Sequence, residues 1–152
     1  MMLAADQAAL LASGLFLLTG VVTGIWKYLQ IRRSETASAH YYVDVAHRAS
    51  LMYAFACLVL ERLAAESAWS ELINLTAVLA AVLFFALAVG SYVLHGLLGD
   101  TANQFRRPHR LGRRELPAWV LPTFMGLLIV AEVGGVAVLF TGMVQSWFGL
   151  FF

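Results

Sequence analysis

His40, Asp44 and His47 fall at i, i+4 and i+7, so any helix that contains them presents all three on one face. An aspartate one turn from a histidine can hold the imidazole ring and set its tautomer. Such a face suits a metal or heme ligand, or an acid–base pair. The plainer alternative is an interfacial helix end with snorkelling side chains. Ser50, Ala54, Cys57 and Glu61 continue the same stripe. Tyr92 and His95 form a second group at i, i+3, with the phenol ~4.5 Å further along the helix axis, where it could donate to a substrate oxygen. The polar segment Asp100-Thr101-Ala102-Asn103-Gln104 follows, placed either to cap a helix end or to close over a pocket.

The elements that must position these residues are set by composition. The chain has 152 residues, 61% hydrophobic and 12% charged, where soluble domains carry about a quarter charged residues. An all-α integral membrane bundle in a single domain (1–152) is therefore expected. Residues 8–26 carry no charge, residues 72–99 have His95 as their only Asp, Glu, Lys, Arg or His, and residues 116–152 contain only Glu132. The segment 49–60 spans only ~18 Å as a helix, against a hydrocarbon core of ~30 Å. To cross, its helix must reach back through Asp44, His47 and Arg48. Ionisable groups at such depth usually face protein and mark function. Four spans follow, at ~7–30, ~40–64, ~70–98 and ~117–142. The first six residues lack the basic region of a signal peptide, so the first apolar run reads as a retained helix.

Nine of the ten basic residues (Lys27, Arg32, Arg33, Arg48, Arg106, Arg107, Arg110, Arg113 and Arg114) fall on one side of these spans, and only Arg62 on the other. The positive-inside rule makes the basic side cytoplasmic and both termini external, N-out and C-out, in a bacterial cytoplasmic (inner) membrane. All four histidines then lie towards the cytoplasmic side, His109 within the connecting loop. Gly20 and Gly24 form a GxxxG on the first span, and Gly134, Gly135 and Gly142 lie on the fourth, which points to close helix contacts within the chain or to an oligomer seam. Glu132 lies ~22 Å along the fourth span, far from the histidines, either bonded to a polar neighbour such as Asn74 or part of a proton route. The lone Cys57 reads as a small buried hydrophobe. HExxH, CxxC and CxxCH patterns and a phosphate-binding glycine loop are absent, which argues against a zinc hydrolase and covalent c-type heme. The arginine-rich loop lies against a membrane, suits lipid headgroups and does not imply nucleic acid.

Two short stretches carry a resemblance. Ala46-His47 opens the apolar part of the second span, and Gly90-Ser91-Tyr92 near the end of the third is followed by Asn103-Gln104-Phe105. In these, and in length and order of elements over most of the chain, the sequence resembles the small four-helix membrane proteins that include styrene oxide isomerase and hydroxylaminobenzene mutase. The resemblance implies a homotrimer with heme b between subunits, His47 as the iron ligand, and Tyr92 orienting a small apolar epoxide that rearranges to a carbonyl. His40, His95 and Arg48 are further candidates around the cofactor, and Asp44 and Asn103 candidates for supporting or gating roles in catalysis. The chain departs from the isomerase at Tyr53, where the isomerase has Asn, and at Phe84, where it has Asp. Whether it is an enzyme stays open. The alternatives are a heme protein that carries electrons or senses a gas, with His40 or His95 of a neighbouring subunit as a second ligand, a transporter or proton-coupled subunit using Glu132 and Glu61 without a cofactor, and a purely structural membrane subunit.

Overall fold

A computed structural model describes residues 4–149. Its helices are α1 (Ala5–Arg33), α2 (Tyr41–Glu66), α3 (Glu71–Leu98) and α4 (Val120–Phe148), with a two-stranded hairpin of β1 (Arg110–Leu111) and β2 (Arg114–Glu115) between α3 and α4. All four helices are long and apolar enough to cross a membrane, and they form an all-helical bundle of membrane-protein character. α1 and α2 overrun the expected spans at their C-terminal ends because their charged termini remain helical: α1 continues through Arg32 and Arg33 and α2 through Glu66. The fourth starts later than expected, with Pro117 outside it, and runs on past the expected end to Phe148. Residues 150–152 lie outside the described residues.

Small residues set the packing. A Cβ at Gly20 would sit 2.5 Å from Leu51 Cδ2, and one at Gly24 would sit 2.8 Å from His47 Cε1, so the GxxxG face of α1 is the surface against which α2 lies. Ser13 Oγ donates to the Ala54 carbonyl across the same seam at 2.9 Å. Gly96 on α3 lets Trp26 and Val43 approach to 3.0 Å from where its Cβ would be. α4 docks through Gly135, which faces the Ala77 carbonyl, through buried Leu139, and through Gly142, whose Cβ would overlap Ser67 and Trp69. Gly134, expected to share that contact, has open space around it. The core between the helices is mostly small residues, with Phe16, Cys57, Leu60, Val78 and Phe85 among them. Large apolar side chains such as Leu18, Phe55, Leu83 and Val130 point outward, which is the pattern of helices solvated by lipid.

The ends of the bundle are closed differently. At one end Glu71 accepts from the Ala5 amide at 2.5 Å, and Trp69 Nε1 donates to the Val138 carbonyl at 2.9 Å. At the other, which carries nearly all the basic residues and the hairpin, α3 stops at Gly99 with φ +58°, a left-handed conformation that costs glycine nothing. The hairpin turns at Gly112 with φ +61°, as a two-residue turn with glycine in its first central position requires.

Candidate functional site

The basic end holds two separate clusters, one on each flank of α2. The first lies between α1 and α2. His47 is half-buried, and its Nδ1 lies 2.7 Å from the Gly20 carbonyl oxygen. A carbonyl only accepts, so Nδ1 carries the proton and donates, which leaves Nε2 as the ring nitrogen with a free lone pair. The sequence expectation gave the task of holding this ring to Asp44. The structure corrects it: Asp44 pairs with Lys27 at 2.5 Å and with Arg48 at 2.8 Å, and the ring is held by backbone instead. The reason is geometric. One helix face brings Asp44 and His47 to α1, but Lys27 and Arg48 claim the carboxylate, while the bare backbone at Gly20 and Gly24 receives the imidazole. Arg48 is largely exposed and contributes its guanidinium to Asp44.

His40 does not extend this face as a helical residue. It is the N-cap of α2, its Nδ1 accepting from the Tyr42 amide at 3.3 Å. That satisfies an otherwise unpaired first-turn donor and uses the nitrogen for capping.

The second cluster lies between α2, α3 and the segment 99–116. Tyr42 is buried, and its ring stacks on Tyr92 with centroids 5.9 Å apart and planes 16° apart. It also packs against His95 at 5.1 Å. The Tyr42 hydroxyl accepts from the Gln104 amide at 2.6 Å, tying the loop down. His95 is buried and donates from Nδ1 to Asp100 Oδ1 at 2.8 Å, while Asp100 Oδ2 accepts from the Gly112 amide at 2.5 Å. Burial works against the charge on Asp100, but the bonds from His95 and Gly112 outweigh it and hold the carboxyl below its ordinary value. Asp100 thus links the last turn of α3 to the turn of the hairpin. Asn103 accepts from the Phe105 amide through Oδ1 at 3.0 Å and shapes the loop.

Tyr92 and Asn103 line one cavity of about 350 Å³, with Tyr41, Tyr42, Val45 and Phe105. The polar segment therefore does part of what the sequence allowed it: Gly99 caps α3, Asp100 ties its last turn to the hairpin, and Asn103 lines a pocket. Within one chain, however, this cavity and His47 are not one site. Tyr42 and His47 are five residues apart, which puts them about 140° apart around α2. Nor do the expected ligands gather: among the described residues no three His, Cys, Asp or Glu side chains come together as a metal-binding group.

Glu132 is half-buried in α4, and its Oε1 has no hydrogen-bond partner. The expected bond to Asn74 is not formed, because the Asn74 amide nitrogen donates instead to the Trp69 carbonyl at 3.2 Å. Tyr53 and Phe84, the departures from the isomerase, are packing residues here. Tyr53 stacks on Phe85 at 4.1 Å, and Phe84 meets Phe124 at 5.8 Å.

Lys27, Tyr42 and Asp100 were not singled out by the sequence as partners in these clusters. The two-residue turn centred on Gly112 and Arg113 was the one readable signal, since it folds the loop back onto α3. No family model, no curated protein and no solved structure matches the chain.

Proposed function

We propose that this protein is a heme b-binding membrane protein of the styrene oxide isomerase type, in which His47 would hold the iron, acting on a small apolar substrate. The observation that carries the reading is the state of the His47 ring: Nδ1 is committed to the Gly20 carbonyl, the ring rests in the space left by Gly24, and Nε2 is free. A ligating histidine is typically oriented in this way by a bond from its other nitrogen. The lone protein ligand also suits a heme iron, which brings its own four nitrogens, better than a bare cation. Heme, when bound, would supply a Lewis-acidic iron able to polarise an epoxide oxygen.

The other groups follow from their placement. Tyr92 donates a hydrogen bond from its phenol to the substrate oxygen, and its stacking on Tyr42 holds the ring in place. Asn103 borders the same cavity and gates it. Because Tyr92 and His47 sit on opposite flanks of α2, a shared site takes His47 from one subunit and Tyr92 from the next, in accord with a homo-oligomer such as the trimer of the resembling isomerase. Asp44, paired with Lys27 and Arg48, steadies the α1–α2 seam. His40 and His95 stay with their cap and carboxylate. The distribution of basic residues supports an N-out, C-out orientation in a bacterial inner membrane, with lipid around the helices.

The test is the absorption spectrum of the detergent-purified protein, as isolated and after dithionite. A b-type Soret band that disappears in His47→Ala supports the reading. A protein that stays colourless when expressed with added heme refutes it. A second reading, a proton-coupled transport subunit, is favoured by one observation, the unpartnered Glu132 Oε1 inside α4. Transport lost in Glu132→Gln from a colourless protein would select it.

A further inference from the structure

The segment between α3 and α4 frames a polar, open cavity of about 450 Å³ whose arginines neither cluster uses. Arg106, Arg107 and Arg110 border it, and all three are exposed. Among the described residues the Arg106 and Arg107 side chains have no hydrogen bond or ion pair, and Arg110 has only a 3.3 Å contact with exposed Glu115. Asn103, also on the wall, spends Oδ1 on the Phe105 amide, which leaves its amide nitrogen to donate. The one carboxylate there, Asp100, has its two oxygens occupied by His95 and by the Gly112 amide. Backbone bonds fix the frame. The Gln104 amide is held by the Tyr42 hydroxyl, and the Arg106 amide donates to the Asn103 carbonyl at 3.1 Å.

Three guanidinium groups around one opening repel one another, and an anion between them relieves that repulsion. A guanidinium matches a phosphate through two parallel N–H groups. Placement then selects which phosphate. Residues 99–119 join two helices long and apolar enough to cross a membrane, so the cavity lies at a membrane surface. Phe105 and Trp119 are exposed beside it, as aromatic side chains at an interface are. Arg107 also borders a second cleft, of about 160 Å³, shared with Phe105, Leu121, Pro122 and Met125 at the start of α4. A cationic cavity continuous with an apolar cleft fits a headgroup and the first carbons of its acyl chain. A soluble anion would use the arginines and leave the cleft empty.

We infer that this loop is a binding site for an anionic phospholipid of the surrounding membrane. Arg106 and Arg107 hold the phosphate, Arg110 and the Asn103 amide nitrogen meet the rest of the headgroup, and the first acyl carbons lie in the cleft between Phe105 and Met125. The site uses neither His47 nor Tyr92 and does not depend on the heme reading.

The experiment is a lipid titration of the full-length protein in detergent, read by native mass spectrometry as lipid bound per chain. The probes are phosphatidylglycerol and phosphatidylcholine with the same acyl chains, and glycerol phosphate as a headgroup without a chain. Wild type is expected to bind one phosphatidylglycerol per chain saturably and to prefer it to phosphatidylcholine, whose choline would meet a further guanidinium. Arg106→Gln combined with Arg107→Gln is expected to weaken phosphatidylglycerol by about 5-fold for each arginine, the worth of one basic residue beside an anionic lipid surface. Arg113→Gln combined with Arg114→Gln removes the same charge from the hairpin, outside the cavity, and is expected to leave that affinity nearly unchanged. Equal losses in the two double variants would mean diffuse charge attraction and overturn the site. Equal binding of the two lipids by wild type would overturn it as well. Glycerol phosphate that displaces the lipid at matching concentration would assign the arginines to a soluble phosphate and overturn the lipid. The four substituted side chains are exposed and hold no partner among the described residues, so both double variants are expected to keep the wild-type thermal unfolding.

Discussion

The α1–α2 seam and the hairpin end of the bundle solve the same problem, a histidine inside an apolar protein, in opposite ways. At the seam, backbone does the work. Two glycines open a gap, a carbonyl accepts a hydrogen bond from Nδ1, and the ion pairs of Asp44 with Lys27 and Arg48 stand apart from the ring. Under the hairpin, side chains do it. His95 depends on Asp100, which depends in turn on a loop amide at Gly112, and the His109 Nδ1 is left without a hydrogen-bond partner. A ring fixed by a helix backbone keeps its geometry as long as the helices stay packed. A ring fixed through a loop carboxylate depends on charge and on the loop staying closed. The difference separates a group built to present a lone pair from groups that hold a cover in place.

The largest expected effect breaks the seam. Gly24→Leu drives side-chain atoms into the His47 ring, so the His47–Gly20 bond is lost. Overpacking of this kind costs about 1–3 kcal/mol, and the four added carbons place this variant near the upper end. Thermal unfolding in detergent should show the loss, accompanied by loss of bound heme. Unchanged stability and heme content would mean that the glycine does not make room for the ring.

Breaking the other side should cost slightly less and leave heme alone. Asp100→Ala removes the acceptor of two bonds and leaves His95 buried without it, at about 1.5–3 kcal/mol for bonds to a charged group. Hydrogen exchange should quicken at Gly112 and through residues 109–116, while a Soret band is retained. Slow exchange at Gly112 in that variant would remove Asp100 as the link.

The same link gives a pH dependence with a definite sign. The Asp100 carboxyl in the folded protein titrates below its ordinary value of 3.8. Its contribution is therefore complete above that value and is lost as the pH falls through the lower, folded-state value. The Gly112 amide resonance should be steady down to about pH 4 and move only below it. A transition centred above pH 4 would show that another group controls the loop.

Smaller still is Tyr42→Phe, which removes the acceptor of the Gln104 amide but keeps the stack on Tyr92. About 0.5–1.5 kcal/mol is expected, read as faster exchange at Gln104. The smallest is Lys27→Met at the seam. Asp44 retains Arg48, both partners of the lost pair are about a third exposed, and such pairs contribute at most about 1 kcal/mol. A larger loss would mean that the ion pair, and not the glycines, holds α1 to α2.

The sequence exposes these regions unequally. Three of the four spans are readable because an uncharged run of membrane length is seldom anything but a membrane helix; ends were misplaced where arginines and glutamates continue α1 and α2, and at both ends of α4, where no charge marks the limit. His47 is readable because an apolar run too short to span draws it inward. Its real partner is not, since a backbone carbonyl 27 residues away carries no residue-type signal. Spacing along α2 pointed to Asp44, and nothing in that spacing registers Lys27 on another helix. Tyr92 and Asn103 were paired by resemblance and do line one cavity, but their joining depends on Tyr42, an aromatic among several at a helix start. His109 looked like one more polar residue in a basic loop. Only the tertiary placement of a six-residue hairpin, 110–115, turns it inward.

The central claim is that His47 alone is presented as a ligand. The direct measurement is Soret absorbance per protein in His47→Ala, His40→Ala and His95→Ala, each purified alongside wild type and checked for folding. Heme is expected to be lost in His47→Ala and retained in the other two. Heme retained in His47→Ala, or lost equally in His95→Ala, would contradict the claim.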